Sequence, residues 1–192
     1  MADDLVPAPR HFAHRYRADI LALARFHDQA RAIADDTDAS PELRIAKLKR
    51  LSPGEHGGRL VQAFLKDVAA KRFRNWSELI AYCRFGAAPI GRFLIELHGE
   101  DPARLRAAET LYSAKLVLRR LQNCKADYLT HDRVYLPGDL MKRSGIDASA
   151  LAESKTNPGL RQVFNQVLDG AEEMIDEACT GLGRLADRTF RI

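Results

Sequence analysis

Two sets of side chains recur at helical spacing and carry groups able to bind ions. Arg119, Asn123 and Asp127 are each four residues apart, so a helix would put them on one face. Arg31 and Asp35 have the same separation and are able to pair with each other. An aspartate offers a charged oxygen to a hard cation, and an asparagine a neutral, weaker one. An arginine stays charged and ligates no cation. Asp35, Asp36 and Asp38 form a small acidic group, but a helix should end there, so solvated acids at a terminus are the expectation.

Other chemistries lack a pattern. Gly91–Glu100 (GRFLIELHGE) has neither the glycine spacing nor the lysine of a phosphate loop. His98 and His131 have no partner at ligand spacing, and a surface or satisfied histidine is expected at each. Cys83, Cys124 and Cys179 form no CxxC pair and read as reduced thiols.

The elements that must position these groups are helical throughout. Ala, Leu, Arg and Glu dominate, and alternating β-branched runs are absent. Tyr16 to Ala34 shows Ile20, Leu23, Phe26, Ala30 and Ile33 stepping by three or four, one helix face. Ser40 and Pro41 are suited to cap the next helix, which runs to about Leu51. Ser52 to Gly58 predicts a turn, and Arg59 to Lys71 a helix carrying Leu60, Phe64, Leu65 and Val68. Trp76 to Leu97 predicts a helix with a kink or break at Ala88-Pro89. Pro102 to Tyr128 is the longest candidate. Arg133 to Pro137 reads as an extended connector. A short helix near Gly138 to Ser144 and a last one from about Asn157 to Leu185 follow. No linker or repeat interrupts the chain, so residues 1–192 are expected to form one all-α domain.

Hydrophobic residues make up 46% of the 192 and charged residues 29%, a globular balance. A net charge of +4 suits an anionic small molecule, a membrane surface or nucleic acid, and decides little. No apolar run reaches membrane-spanning length and MADDLVPAPR lacks a signal layout, so a cytoplasmic protein is expected.

Three stretches, taken in order, resemble the squalene/phytoene synthases, nearest to the hopanoid-pathway enzymes that make presqualene diphosphate or hydroxysqualene. Trp76–Arg92, WSELIAYCRFGAAPIGR, is similar to W-x-[DE]-L-x-x-Y-C-x-x-S-A-x-P-V-G-R. Leu121–Pro137, LQNCKADYLTHDRVYLP, is similar to L-Q-D-C-x-x-D-Y followed by G-R-x-Y-L-P. Ile20–Asp35, ILALARFHDQARAIAD, is similar to I-L-A-L-Y-x-F-A-R-A-A-D-D-I-A-D.

The resemblance implies an isoprenoid-synthase helical bundle around a central cavity. There the family joins two prenyl diphosphates, commonly farnesyl diphosphate, head to head. It also implies two facing D-x-x-x-D motifs that hold Mg²⁺ against the diphosphate, which helps the C–O bond ionise. By correspondence, the catalytic and metal positions are Asp35, Asn123 and Asp127, with Asp35 and Asp127 the remaining carboxylate metal ligands. The substrate-binding positions are Arg133, Tyr135, Tyr82, Arg92 and Gln122.

The departures are specific. D-D-I-A-D falls on Arg31, Ala32, Ile33, Ala34 and Asp35, so one acid of the first motif survives. Asn123 replaces the first acid of the second motif, and Arg119 replaces an asparagine one turn earlier. Gly86 stands for the family's serine. The family also continues for roughly two more helices, whose loss would expose apolar surface for a partner.

The principal expectation is a catalytically impaired member that binds a prenyl diphosphate or a partner. One alternative is an active Mg²⁺-dependent prenyltransferase that condenses two farnesyl diphosphates, alone or in a hetero-oligomer with a complete paralogue. Another is an assembly factor on the same fold. No nucleic acid and at most peripheral contact with the inner membrane surface are expected.

Overall fold

The computed structural model describes residues 5–51, 54–70, 72–183 and 185–186. The turn positions Ser52 and Pro53, and Lys71 at the expected helix end, lie outside them. Among the described residues there are helices and connectors and no strand. Two 3₁₀ turns, Pro9–His11 and His14–Tyr16, lead into α1 (Arg17–Asp35). Its buried face is Ile20, Leu23, His27, Ala30 and Ala34. Phe26 and Ile33, expected on that face, are half-buried beside it. The stripe turns slightly, and a histidine enters the interior in their place.

α2 (Pro41–Arg50) starts where Ser40 accepts a hydrogen bond from the Leu43 N–H at 3.3 Å, with proline in the first turn. α3 (Glu55–Val68) begins earlier than the SPGEHGG composition predicts, because Gly54 serves as its N-cap. α4 (Trp76–Gly86) is capped by Asn75, which accepts from the Glu78 N–H at 3.1 Å. The break falls at Ala87, whose φ of −142° and ψ of −35° leave helical geometry, and α5 (Ala88–Leu97) restarts with Pro89 in its first turn. A 3₁₀ turn, Pro102–Arg104, opens α6 (Leu105–His131), the 27-residue axis of the bundle. Asp132 ends it in the left-handed region at φ 51°. The connector 133–137 is non-helical with a bend at Leu136, and Pro137, in extended geometry, leads to α7 (Gly138–Arg143). A 3₁₀ turn, Ala148–Leu151, precedes α8 (Pro158–Leu182).

α6 packs against α8, α5 and α4, and α1 packs against α3. Small residues set the close approaches. A Cβ on Gly91 would sit 2.5 Å from the Ala108 carbonyl oxygen, so α5 and α6 meet backbone to backbone. A Cβ on Gly170 would sit 2.8 Å from Trp76, which lays its ring on α8. The large exposed apolar residues Leu21, Leu43, Phe85, Leu129 and Leu168 sit on five different helices. Exposed apolar residues of this kind are ordinary on a protein surface. No helix among the described residues is long and apolar enough to cross a membrane.

Candidate functional site

The ends of α1 and α3 converge on the middle of α6. Each end leaves backbone carbonyls without helical partners. Arg133, 4% exposed, resolves both. Its Nη2 donates to the Ala34 carbonyl at 2.8 Å and its Nε to the Asp67 carbonyl at 2.9 Å. Its Nη1 donates to Asp35 Oδ1 at 2.5 Å. A cation there also suits the negative ends of both helices.

Asp67, 5% exposed, is the hub of the polar interior. It accepts from Tyr135 Oη at 2.8 Å, from Tyr82 Oη at 3.1 Å and from Arg120 Nη2 at 3.1 Å. Arg120 Nη2 also donates to Tyr82 Oη at 2.5 Å, and its guanidinium stacks 4.2 Å from the centre of the Tyr135 ring. Its Nη1 lies 3.7 Å from Asp127 Oδ2, an ion pair too long to be a hydrogen bond. A buried charge is tolerated only when paired and hydrogen-bonded; Asp67 meets that condition with Arg120 and both tyrosines, whereas Asp127 Oδ2 has the longer ion pair alone. Burial pushes the Tyr82 and Tyr135 hydroxyls well above the usual range, although Arg120 pulls both down. Burial opposes the charge of Arg120, but the two tyrosines, Asp67 and Asp127 more than compensate, so it stays firmly protonated. Burial raises Asp127 above the ordinary carboxylate value, against the pull of Arg120 and Arg133.

These groups wall a cavity of ≈ 190 Å³. His27, Arg31 and Asp35 of α1 line it, with Asp67 of α3, Tyr82 and Gly86 of α4, and Arg133 of the connector. α6 contributes Leu116, Arg119, Arg120, Asn123 and Asp127, and Leu5 reaches the same wall from the N-terminal segment. Four arginines face three aspartates there, a formal balance of +1.

Of the expected site residues, Asp35, Asn123, Asp127, Tyr82 and Arg133 share this cavity, and Tyr135 stands behind it on Asp67. Two do not join them. Arg92 reaches from α5 to Glu109 of α6, with contacts of 2.7 and 2.6 Å, and lies 3.5 Å from Glu96 of its own helix. Gln122 is exposed on the far side of α6, because it is one residue, about 100° of turn, from cavity-lining Asn123. Arg31 does not take Asp35 in the pairing that spacing suggested: Asp35 is held by Arg133, and Arg31 Nη2 lies 3.7 Å from Asp28.

Sequence reasoning missed Asp67 and Arg120. Both left a readable signal. Asp67 falls on the stripe of Leu60, Ala63, Phe64 and Val68, and Arg120 on the stripe of Ser113, Leu116, Val117 and Cys124. A charge on an otherwise buried stripe requires a buried partner, and these two have opposite signs.

Residues 51–192 match the family model for squalene/phytoene synthase. The chain belongs to the squalene/phytoene synthase family. It is 33% identical over 202 residues to a hydroxysqualene synthase of Sinorhizobium fredii, an alignment covering 92% of this chain and 69% of that protein. With a hydroxysqualene synthase of Rhodopseudomonas palustris it shares 38% identity over 118 residues, 62% of this chain and 40% of the other. The bundle superposes on a crystal structure of a dehydrosqualene synthase with a TM-score of 0.79 at 18% identity, covering 97% of this chain and 74% of that one. At that identity the likeness concerns the fold. As a member of this family, the chain is a protein of isoprenoid biosynthesis, and both motif positions face one cavity.

Proposed function

We propose that this chain, as one helical domain, is a catalytically impaired squalene/phytoene synthase that binds a prenyl diphosphate. The observation that carries the reading is the commitment of the surviving motif acids. Asp35 is occupied by Arg133 at 2.5 Å, and Asp127 faces Arg120 at 3.7 Å. In the family, acids at these positions hold Mg²⁺, which neutralises the departing diphosphate. Mg²⁺ demands near-octahedral oxygen ligands at about 2.0–2.1 Å. Among the described residues no group of three acid, histidine or cysteine side chains is placed to hold a metal ion. Arg31, Arg119, Arg120 and Arg133 bring like charge to the same space. The residues present do not fit a Mg²⁺ cluster.

The cavity suits the head of such a ligand. Its ≈ 190 Å³ is below the roughly 300–1,000 Å³ of sites that enclose a whole small molecule. Its wall is arginine-rich, which favours phosphate oxygens. The test is calorimetric titration with farnesyl diphosphate beside an assay of diphosphate release. Saturable binding without release is expected. Release with Mg²⁺ above a no-protein control would overturn the impairment.

A second reading keeps activity within a hetero-oligomer with a complete paralogue. Asn123 and Asp127, which still line the cavity, favour it. It requires that Asp127→Ala abolish turnover by the mixture, and survival of turnover would exclude it.

A further inference from the structure

A second recess lies apart from the central cavity and shares none of its lining residues. It is a cleft of ≈ 530 Å³ bounded by α4, α6 and α8, with Arg59 of α3 and Ala88 of α5 also on its wall. That volume falls within the roughly 300–1,000 Å³ of sites that take a small molecule. The rotation of α4 keeps the two spaces separate. Tyr82 and Gly86 line the cavity, whereas Trp76, Ile80 and Arg84, spaced by four, line the cleft. Gly170 leaves room for the Trp76 ring against α8, and the half-buried ring keeps surface toward the cleft, which Ile80 and Met174 also line.

The charges of the cleft are segregated. On its α6 and α8 wall each acid already holds an arginine: Glu109 pairs with Arg92 at 2.6 Å, and Glu177 accepts from Arg106 at 3.2 Å. On its α3 and α4 wall stand Arg59 and Arg84. Both are exposed, and among the described residues neither has an ion pair. Arg92 neutralises Glu109 from outside the cleft, so two guanidiniums remain without a compensating acid. An indole ring and two such guanidiniums in one cleft match a ligand that is both flat and anionic. The ring stacks on an aromatic body, and a guanidinium fork takes the two oxygens of a carboxylate or phosphate.

We infer that this cleft is a second binding site, for a small aromatic anion whose flat body lies against Trp76 and whose phosphate or carboxylate meets Arg59 and Arg84. The inference stands apart from the prenyl-diphosphate reading, because no lining residue is common to the two spaces. An occupant ties α4 to α8, so it also raises the thermal transition of the chain.

Trp76 is the one tryptophan of the chain, so its emission reports this cleft. The experiment titrates the whole chain with phenyl phosphate and with benzoate, and the tighter of the two identifies the anionic group. Benzyl alcohol and inorganic phosphate, each carrying half of the ligand's chemistry, are the controls. At least one aromatic anion changes Trp76 emission saturably, and the controls leave it unchanged at the same concentrations. Arg59→Gln and Arg84→Gln each weaken that binding by about tenfold while the thermal transition of the free chain stays in place. Saturating farnesyl diphosphate does not displace the aromatic anion. Absence of any saturable change up to about 10 mM of either aromatic anion overturns the inference. So does full affinity in both arginine variants, or an equal response to either control. Displacement by farnesyl diphosphate would put the anion in the central cavity, and it too overturns the inference while leaving the prenyl-diphosphate reading standing.

Discussion

Arg133 Nη1 and Asp35 Oδ1 are 2.5 Å apart, and they join the connector after α6 to the last turn of α1 across 98 residues of sequence. The same guanidinium caps the carbonyls of Ala34 and Asp67. One side chain therefore neutralises a motif acid and closes two helix ends. The first consequence concerns stability: Arg133→Met leaves Asp35 and both helix ends without this donor. Loss of about 3–5 kcal/mol is expected in chemical denaturation. A loss under about 1 kcal/mol would mean that water replaces these bonds.

Asp67 and Asp127 are expected to respond oppositely. Asp67→Ala strands Arg120 and two tyrosine hydroxyls in the interior and is expected to cost about 3–5 kcal/mol. Asp127 is different, because burial raises its pKa above the ordinary 3.8, with Arg120 and Arg133 opposing. A carboxyl whose folded-state pKa exceeds its unfolded value binds protons more readily in the fold. Its charge then costs stability at neutral pH, and the cost lifts as the pH falls through the raised value toward 3.8. Asp127→Asn is expected to leave stability at neutral pH unchanged or higher, with its advantage shrinking on acidification. Urea titrations of both variants across that range check it, and a destabilised Asn variant at neutral pH would count against it.

Two glycines separate packing from propensity. Gly91→Ala drives a Cβ into the Ala108 carbonyl and is expected to cost about 1–3 kcal/mol. Gly58→Ala, in α3 with nothing within 4 Å of the added carbon, is expected to stabilise by about 0.5–1 kcal/mol. Thermal melts of the pair should move in opposite directions.

Thiol reactivity reports the core. Cys83 is fully buried and pushed up to about 12 by burial, Cys124 is raised by burial too, and Cys179 is exposed. A disulfide reagent is expected to label one thiol per native chain quickly and all three after unfolding. Fast labelling of Cys83 would show that α4 opens readily.

Much of this was legible in the sequence. The helices, the break at Ala87 and the helix-free connector follow from periodicity, proline position and capping residues. Spacing by four put Asn123 and Asp127 on one helix face, and the resemblance to the family implied that Asp35 faces the same cavity. The pairing was not legible, because spacing brings Arg31 to Asp35 within one helix, whereas tertiary packing delivers Arg133 from another element. Arg92 and Gln122 went astray for a related reason: a motif fixes order along the chain, and the facing direction depends on how α5 and α6 are rotated. Asp67 and Arg120 were visible only as charges on apolar stripes, a signal that matters once the two helices are seen to face each other.

The most direct measurement is diphosphate release from farnesyl diphosphate by the purified chain in saturating Mg²⁺. With the motif acids held by Arg133 and Arg120, release is expected to stay at the no-protein background while the ligand still binds. Steady, protein-dependent release that disappears in Asp127→Ala would contradict the account.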